Sequence, residues 1–309
     1  MTATALSRGA GNPRSPGERF GKHVLFTCAA LSALLGAAVI VVVALETVRF
    51  FGRVSPARFF GGLTWAPLAE EPGFGVLPLI AGTAQIAAGA TFLALPVGLL
   101  TAVFLRYYAG GRTASVLNAV VTLLACIPAV VYGYFALNYV TPAIRSVWPG
   151  VEGFNGISAC LVVGLMILPT IVLLSREALG AVPNSLLEEG VALGATRRRV
   201  LVRLVVPAAA VGIAGSVVMA AARAVGETMI VTLAAGNPTG PTWNPLEGVR
   251  TLTTFLAQAS LGDIPTGSIE YGACFAVAAV LFLLTCGMHA AGRALMARGQ
   301  RGTLGAVRL

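Results

Sequence analysis

Charge is what this chain has least of. Asp, Glu, Lys and Arg make up 11% of its 309 residues, where a soluble domain carries about a quarter. The shortage is local: it falls in apolar runs of bilayer-spanning length, each about 20 residues or more. That pattern excludes a soluble fold and reads as a polytopic integral membrane protein. Lysine is nearly absent. Lys22, in "FGKHV", is the single one, so no G-x-x-x-x-G-K-[ST] phosphate loop can be written anywhere in the chain. If ATP drives this protein, another subunit binds it. Histidine is equally sparse: His23 and His289 stand far apart at segment ends, which argues against a metal pair. Cys28, Cys126, Cys160, Cys274 and Cys286 lie in apolar runs with no close spacing. They read as small buried side chains rather than disulfides or metal ligands. No cofactor and no metal are expected.

What is present is arginine, and its placement matters. The net charge of +9 does not indicate nucleic acid, because the arginines sit in the loops of a membrane protein, as the positive-inside rule describes. Residues 1–23 form a polar, basic tail of disordered composition. An apolar run at 24–48 follows, too long for a signal-peptide core and with no cleavage site after it, so it is an uncleaved first transmembrane helix. Five further runs lie at about 77–105, 114–140, 157–174, 205–235 and 269–296. All read as helices, since a barrel would need short alternating strands. The expected fold is all-α with six transmembrane helices, and Pro96, Pro128 and Pro169 are expected to kink three of them.

With the N-terminus inside, fifteen basic residues fall on the inner side and five (Arg49, Arg53, Arg58, Arg145 and Arg250) on the outer. Both termini are therefore expected in the cytoplasm, the C-terminal one as a tail over 297–309. This frame makes 49–76 and 236–268 outer loops around a core of helices over 77–296. Leu252, Phe255, Leu256 and Ala259 have helical spacing. That helix either lies on the outer membrane surface or caps the bundle.

The inner loop over 175–205 reads "SREALGAVPNSLLEEGVALGATRRRVLVRLV". Asn184 or Ser185 is expected to cap a short helix, with Glu188 and Glu189 in its first turn and Gly194 at its end. Such an element can project into a cytoplasmic partner or be an ordinary solvated loop. Deeper in the chain, "AARAVGETM" places Arg223 and Glu227 four residues apart in an otherwise apolar run. On the helix expected over 205–235 they share one face with Gly212, Ser216, Ala220 and Gly226, small residues that let another helix approach. They read either as a structural ion pair or as charges lining an anion pathway, where the planar Arg fork suits phosphate oxygens. Gln85, Tyr132, Tyr134 and Asn138 are weaker pathway candidates, and interhelical hydrogen bonds are their plainer role. A proton-coupled secondary transporter using Glu227 is the competing class, and a channel a third.

The spacing of Glu188, Gly194, Leu204 and Pro207 resembles the EAA loop of ABC importer permeases, with Glu189 and Gly190 in place of two alanines. "GVLPLIAGT" (75–83), "CIPAVVYGYFAL" (126–137), "MILPTIVLLSREALGAVP" (166–183) and "ARAVGETMIVTLAAGN" (222–237) are similar to PstC-type permeases of phosphate importers. The similarity covers roughly 57–290. The partner permease of such importers, of PstA type, also carries an R…GET segment, but "TWAPLAEEPGFGVLPL" argues against it. The resemblance implies a type I importer permease in the inner membrane with no catalytic activity of its own. It implies five partners: a second permease forming a heterodimer, a cytoplasmic ATPase dimer, a periplasmic phosphate-binding protein, phosphate and membrane lipid. It implies Glu188, Glu189 and Gly194 in ATPase coupling, and it places Arg223 and Glu227, the pathway candidates read from their charges, in the stretch most similar to phosphate permeases.

Overall fold

The computed structural model describes residues 16–67, 69, 72–236, 238, 244–262 and 264–306. The tail over 1–15, Glu70 and Glu71, much of "GNPTGPTWNP" and the last three residues lie outside the described residues. Four helices are long and apolar enough to cross a membrane: α1 (Pro16–Phe51), α3 (Leu77–Tyr107), α7 (Gly156–Gly180) and α14 (Ile269–Ala306). Two bent pairs bring the total to six if each counts as one span. Among the described residues the chain is thus all-α apart from one hairpin, β1 (Trp65–Ala66) against β2 (Gly73–Phe74). Helix α1 begins at Pro16, eight residues before the apolar run, so the basic residues that precede the run are already helical from there.

The core is a glycine-mediated packing of α3 against α7 and of α11 (Ala210–Val225) against α14. A Cβ on Gly89 would meet Cys160 Sγ at 2.6 Å, and one on Gly98 would meet Ile171 Cγ2 at 2.7 Å. On the other seam, a Cβ on Gly215 would meet Met296 Cγ at 2.6 Å. Between membrane helices the hydrophobic effect offers little, so close backbone approach supplies the van der Waals contact that binds them. Helix α7 is central, with 61% of its most apolar window buried, whereas the same measure for α1 is 0%. Helix α1 touches the rest through its C-terminal end, where Thr47 Oγ1 donates to the Phe275 carbonyl at 3.1 Å and Phe50 packs on Gly272.

Prolines shape the bent pairs, and not all in the expected way. Pro96 and Pro169 lie inside continuous helices. Pro128 instead separates α4 (Gly111–Cys126) from α5 (Ala129–Phe135), and the two halves of this span meet at 92°. Pro128 has no N–H to give the Leu124 carbonyl four residues back, and the Tyr132 hydroxyl donates to that oxygen instead, at 2.8 Å. Two π-turns each stand just before a proline. Ala136–Val140 precedes Pro142 at the start of α6 (Thr141–Val147), and Leu201–Val205 precedes Pro207 in α10 (Val206–Ala208). In both, an amide donates five residues back, Thr141 to Ala136 and Val206 to Leu201. The widened turn gives room to a ring that would clash with the carbonyl four residues back. After Pro207 the chain turns by 67° into α11.

At the end of the bundle expected to lie outside, α13 (Leu252–Leu261) is closed by a capping box between Thr251 and Thr254. Leu252 and Phe255 are buried, and Phe255 meets Trp65 edge-to-face at 4.9 Å between centroids. The helix therefore caps the bundle rather than lying on the surface. Phe50, Phe59, Trp65 and Phe74 complete this aromatic plug.

Candidate translocation and coupling sites

The run expected as one helix over 205–235 is broken, and the break falls between the two charges. Helix α11 stops at Val225, and α12 (Met229–Ala234) starts after Gly226, Glu227 and Thr228. Arg223 and Glu227 consequently do not share a helix face, and among the described residues they form no ion pair. Arg223 reaches across to α7, where its Nη1 donates to Thr170 Oγ1 at 3.3 Å. Glu227 turns to its own chain: its Oε1 accepts from the Ile230 amide at 3.2 Å, at the start of α12. The small-residue stripe of α11 is divided in the same way. Gly212, Ser216 and Ala220 are buried, with Ser216 Oγ 2.8 Å from Ser175 Oγ on α7. Arg223, Gly226 and Met229 are exposed on the isolated subunit.

A second segment holds the break open. The Thr253 hydroxyl donates to the Glu227 carbonyl at 2.8 Å, and the Leu252 amide donates to Thr83 Oγ1 on α3 at 3.0 Å. The preceding backbone lies so close to α3 that a Cβ on Gly82 would meet the Arg250 oxygen at 2.1 Å. The outer cap is thereby fastened both to α3 and to the break. Thr83, Thr170 and Thr253 were not legible as site residues, because a threonine in an apolar run looks like one more small side chain.

Of the weaker pathway candidates, Tyr132 is buried and engaged with Leu124 as described. Asn138 bonds back to the Tyr134 carbonyl of its own span at 2.9 Å, while the Tyr134 side chain is exposed. Gln85 Oε1 is buried without a hydrogen-bond partner.

The loop over 175–205 forms the expected helix, α8 (Asn184–Ala192), with two differences. Pro183 rather than Asn184 or Ser185 occupies the N-cap, and no side chain caps it. The Asn184 amide oxygen is taken by Arg106 Nη2 at 3.3 Å, which removes it from capping. Since α8 starts at Asn184, Glu188 and Glu189 lie in its second turn, not its first; both are exposed. Gly194 does end the helix. Its φ is +82°, its amide donates to Val191 and the Ala195 amide to Gly190, the paired bonds of a Schellman motif. Gly190 also has a role of its own. It is buried, and a Cβ there would meet Val200 Cγ2 at 2.8 Å, so α8 folds tightly onto α9 (Arg197–Val200). Exposed Val191 and Leu193 sit beside the two glutamates.

Residues 94–296 match the family described as binding-protein-dependent transport system inner membrane component. The chain belongs to that family. A probable ABC transporter permease protein, YqgH of Bacillus subtilis, is 32% identical over 86% of this chain and 86% of its own. The phosphate transport system permease protein PstC of Mesorhizobium japonicum is 30% identical over 78% of each chain. Among solved structures, a bacterial ABC transporter for import of the acidic polysaccharide alginate aligns with a TM-score of 0.57. It covers 91% of this chain and 99% of that one at 13% identity, and so supports the fold alone. This permease is therefore a multi-pass inner-membrane protein of the ABC importer permease fold. The matched segment holds both the loop that carries α8 and the helix break; α1 and the β-hairpin precede it.

Proposed function

We propose that this permease forms half of the translocation pathway of an ATP-driven inorganic phosphate importer. The observation that carries the substrate is the 30% identity to a phosphate transport permease over 78% of the chain. The geometry adds to it. Arg223 stands exposed at a helix break with no carboxylate paired to it among the described residues, so its fork is available to an oxyanion. Glu227 lies close along the chain and keeps the local potential from holding the anion too tightly, because conduction needs binding that is also easily released.

In this reading both termini are cytoplasmic, and a second, related permease covers the face on which the break opens. A periplasmic phosphate-binding protein docks on the outer cap. A cytoplasmic ATPase dimer receives α8, with Glu188 and Glu189 at the contact, Gly194 shaping its end, and exposed Val191 and Leu193 supplying apolar contact. ATP hydrolysis belongs to that separate subunit. The test is affinity purification of the tagged chain from its membrane, then reconstitution of what co-purifies. An ATPase and a second permease, with phosphate uptake that needs ATP and the binding protein, are expected. Proton-driven uptake by this chain alone would overturn the reading. Uptake of sulfate or molybdate in preference to phosphate would overturn the substrate.

A further inference from the structure

The coupling loop is fastened to the inner end of α3 by a set of contacts that the EAA spacing does not contain. Arg197 donates through Nη2 to the Tyr107 carbonyl, the last residue of α3. The same guanidinium lies over the Tyr108 ring, 5.4 Å from its centroid. Arg106 donates to Asn184 at the start of α8. The Tyr107 hydroxyl donates to the Leu179 carbonyl at the end of α7 at 3.1 Å. Both flanks of α8 are thus tied to a few residues of one helix end. Helix α3 has 31 residues, about 46 Å at 1.5 Å per residue, and its other end holds the outer cap through Thr83 and Gly82. That cap in turn holds the Glu227 carbonyl at the break.

We infer that Arg197, with Arg106, forms a latch through which the position of the coupling loop is transmitted along α3 to the outer cap and the helix break. Arg197 is a positioning residue: it acts through the Tyr107 carbonyl and the Tyr108 ring. The physical basis is rigidity followed by a switchable joint. Helix α3 is clamped to α7 by close-packed glycines along its length, so a push at Tyr107–Tyr108 moves its far end. The joint can switch because it is incompletely satisfied. Arg106 Nε is buried with no partner, and an unmet buried donor favours any rearrangement that supplies one. Energetic coupling over a long distance requires an element with two arrangements, and that is the part assigned to the latch.

This inference rests on the proposed importer reading, and its test separates the two. The intact complex is reconstituted with binding protein and phosphate, and ATP hydrolysis and phosphate uptake are measured together. The wild type tests the importer reading. For the latch, Arg197→Ala is expected to leave basal hydrolysis near normal and cut its stimulation by loaded binding protein at least fivefold, with uptake falling in step. Combined with Thr253→Val at the far end of the path, it should lose little more than the more severe single variant. Wild-type stimulation in an assembled Arg197→Ala complex overturns the latch, as does full additivity with Thr253→Val. If Arg197→Ala does not assemble, Arg197→Lys decides. It keeps the charge but not the planar fork, so partial stimulation supports the latch and wild-type stimulation overturns it.

Discussion

Two kinds of helix break occur in this permease, and they differ in what makes them. At Pro128 and around Pro207 a proline withdraws an amide from the helix, and the chain adjusts locally. Tyr132 satisfies the Leu124 carbonyl in one case, and a π-turn makes room in the other. Between Gly226 and Thr228 there is no proline. This break is held from outside the span by a hydroxyl of the outer cap on the Glu227 carbonyl, and from within by the Glu227 carboxylate on the Ile230 amide. A break written in one residue is a fixed bend. A break held by a segment 26 residues further along the chain can open or close when that segment moves. The second kind sits beside Arg223, the residue proposed to line the pathway.

Displacing the cap gives the largest effect and tests this contrast directly. In Gly82→Val the new Cβ would collide with the Arg250 backbone oxygen. Backbone has no rotamer with which to give way, and overpacking costs about 1–3 kcal/mol or more. The Thr83–Leu252 and Thr253–Glu227 bonds are then lost together. Phosphate uptake is expected to fall to near background, and the segment over 249–254 should become open to protease, while the subunit still assembles through its inner elements. Uptake at the wild-type level with a protected cap would show that the break does not depend on it.

The two charges give the next effect. Arg223→Gln and Glu227→Gln should each reduce phosphate uptake about tenfold, the equivalent of about 1.4 kcal/mol, at normal complex level. Gln at 227 keeps an oxygen for the Ile230 amide, so the break is preserved and the charge alone is removed. Because the two side chains do not pair, the exchange Arg223→Glu with Glu227→Arg should not restore uptake. Restoration by the exchange would mean that they pair in the working complex, and unchanged uptake in both single variants would remove them from the pathway.

The comparison also explains what could be read from the chain in advance. Spans were legible because apolar length is a property of consecutive residues, and the EAA element because Gly194 and Pro207 act on their own backbone. The small residues of α11 announced a close helix contact, and Gly212 and Ser216 make one with α7. The break at Glu227 was not legible. One of the bonds that hold it comes from Thr253, and no local pattern in "AARAVGETM" reports a hydrogen bond from a distant loop. Asn184 escaped for the same reason: its side chain has strong local capping propensity, but Arg106 from another helix outcompetes it. The direction of Pro128 was equally hidden. A proline marks where a helix yields, while the 92° angle is set by what the following segment packs on, here α12 through Gly133 and Leu233.

The smallest effect belongs to the proline-made break, and it sharpens the distinction from the other side. Tyr132→Phe removes the hydroxyl that satisfies Leu124 and leaves the ring in its buried place. Hydrogen bonds inside membrane proteins contribute about 0.6 kcal/mol on average and up to about 1.7. A carbonyl freed by proline can also be met by water or a local shift. The variant should therefore melt at a slightly lower temperature and keep phosphate uptake within about twofold, which at 1.36 kcal/mol per tenfold is less than half a kcal/mol. A bend set by a missing amide persists when the compensating bond is removed, because the amide is still missing. If Tyr132→Phe instead abolished uptake at normal protein level, the hydroxyl would be acting on the pathway itself. The Pro128 bend would then have to be counted with the Glu227 break as part of the moving machinery.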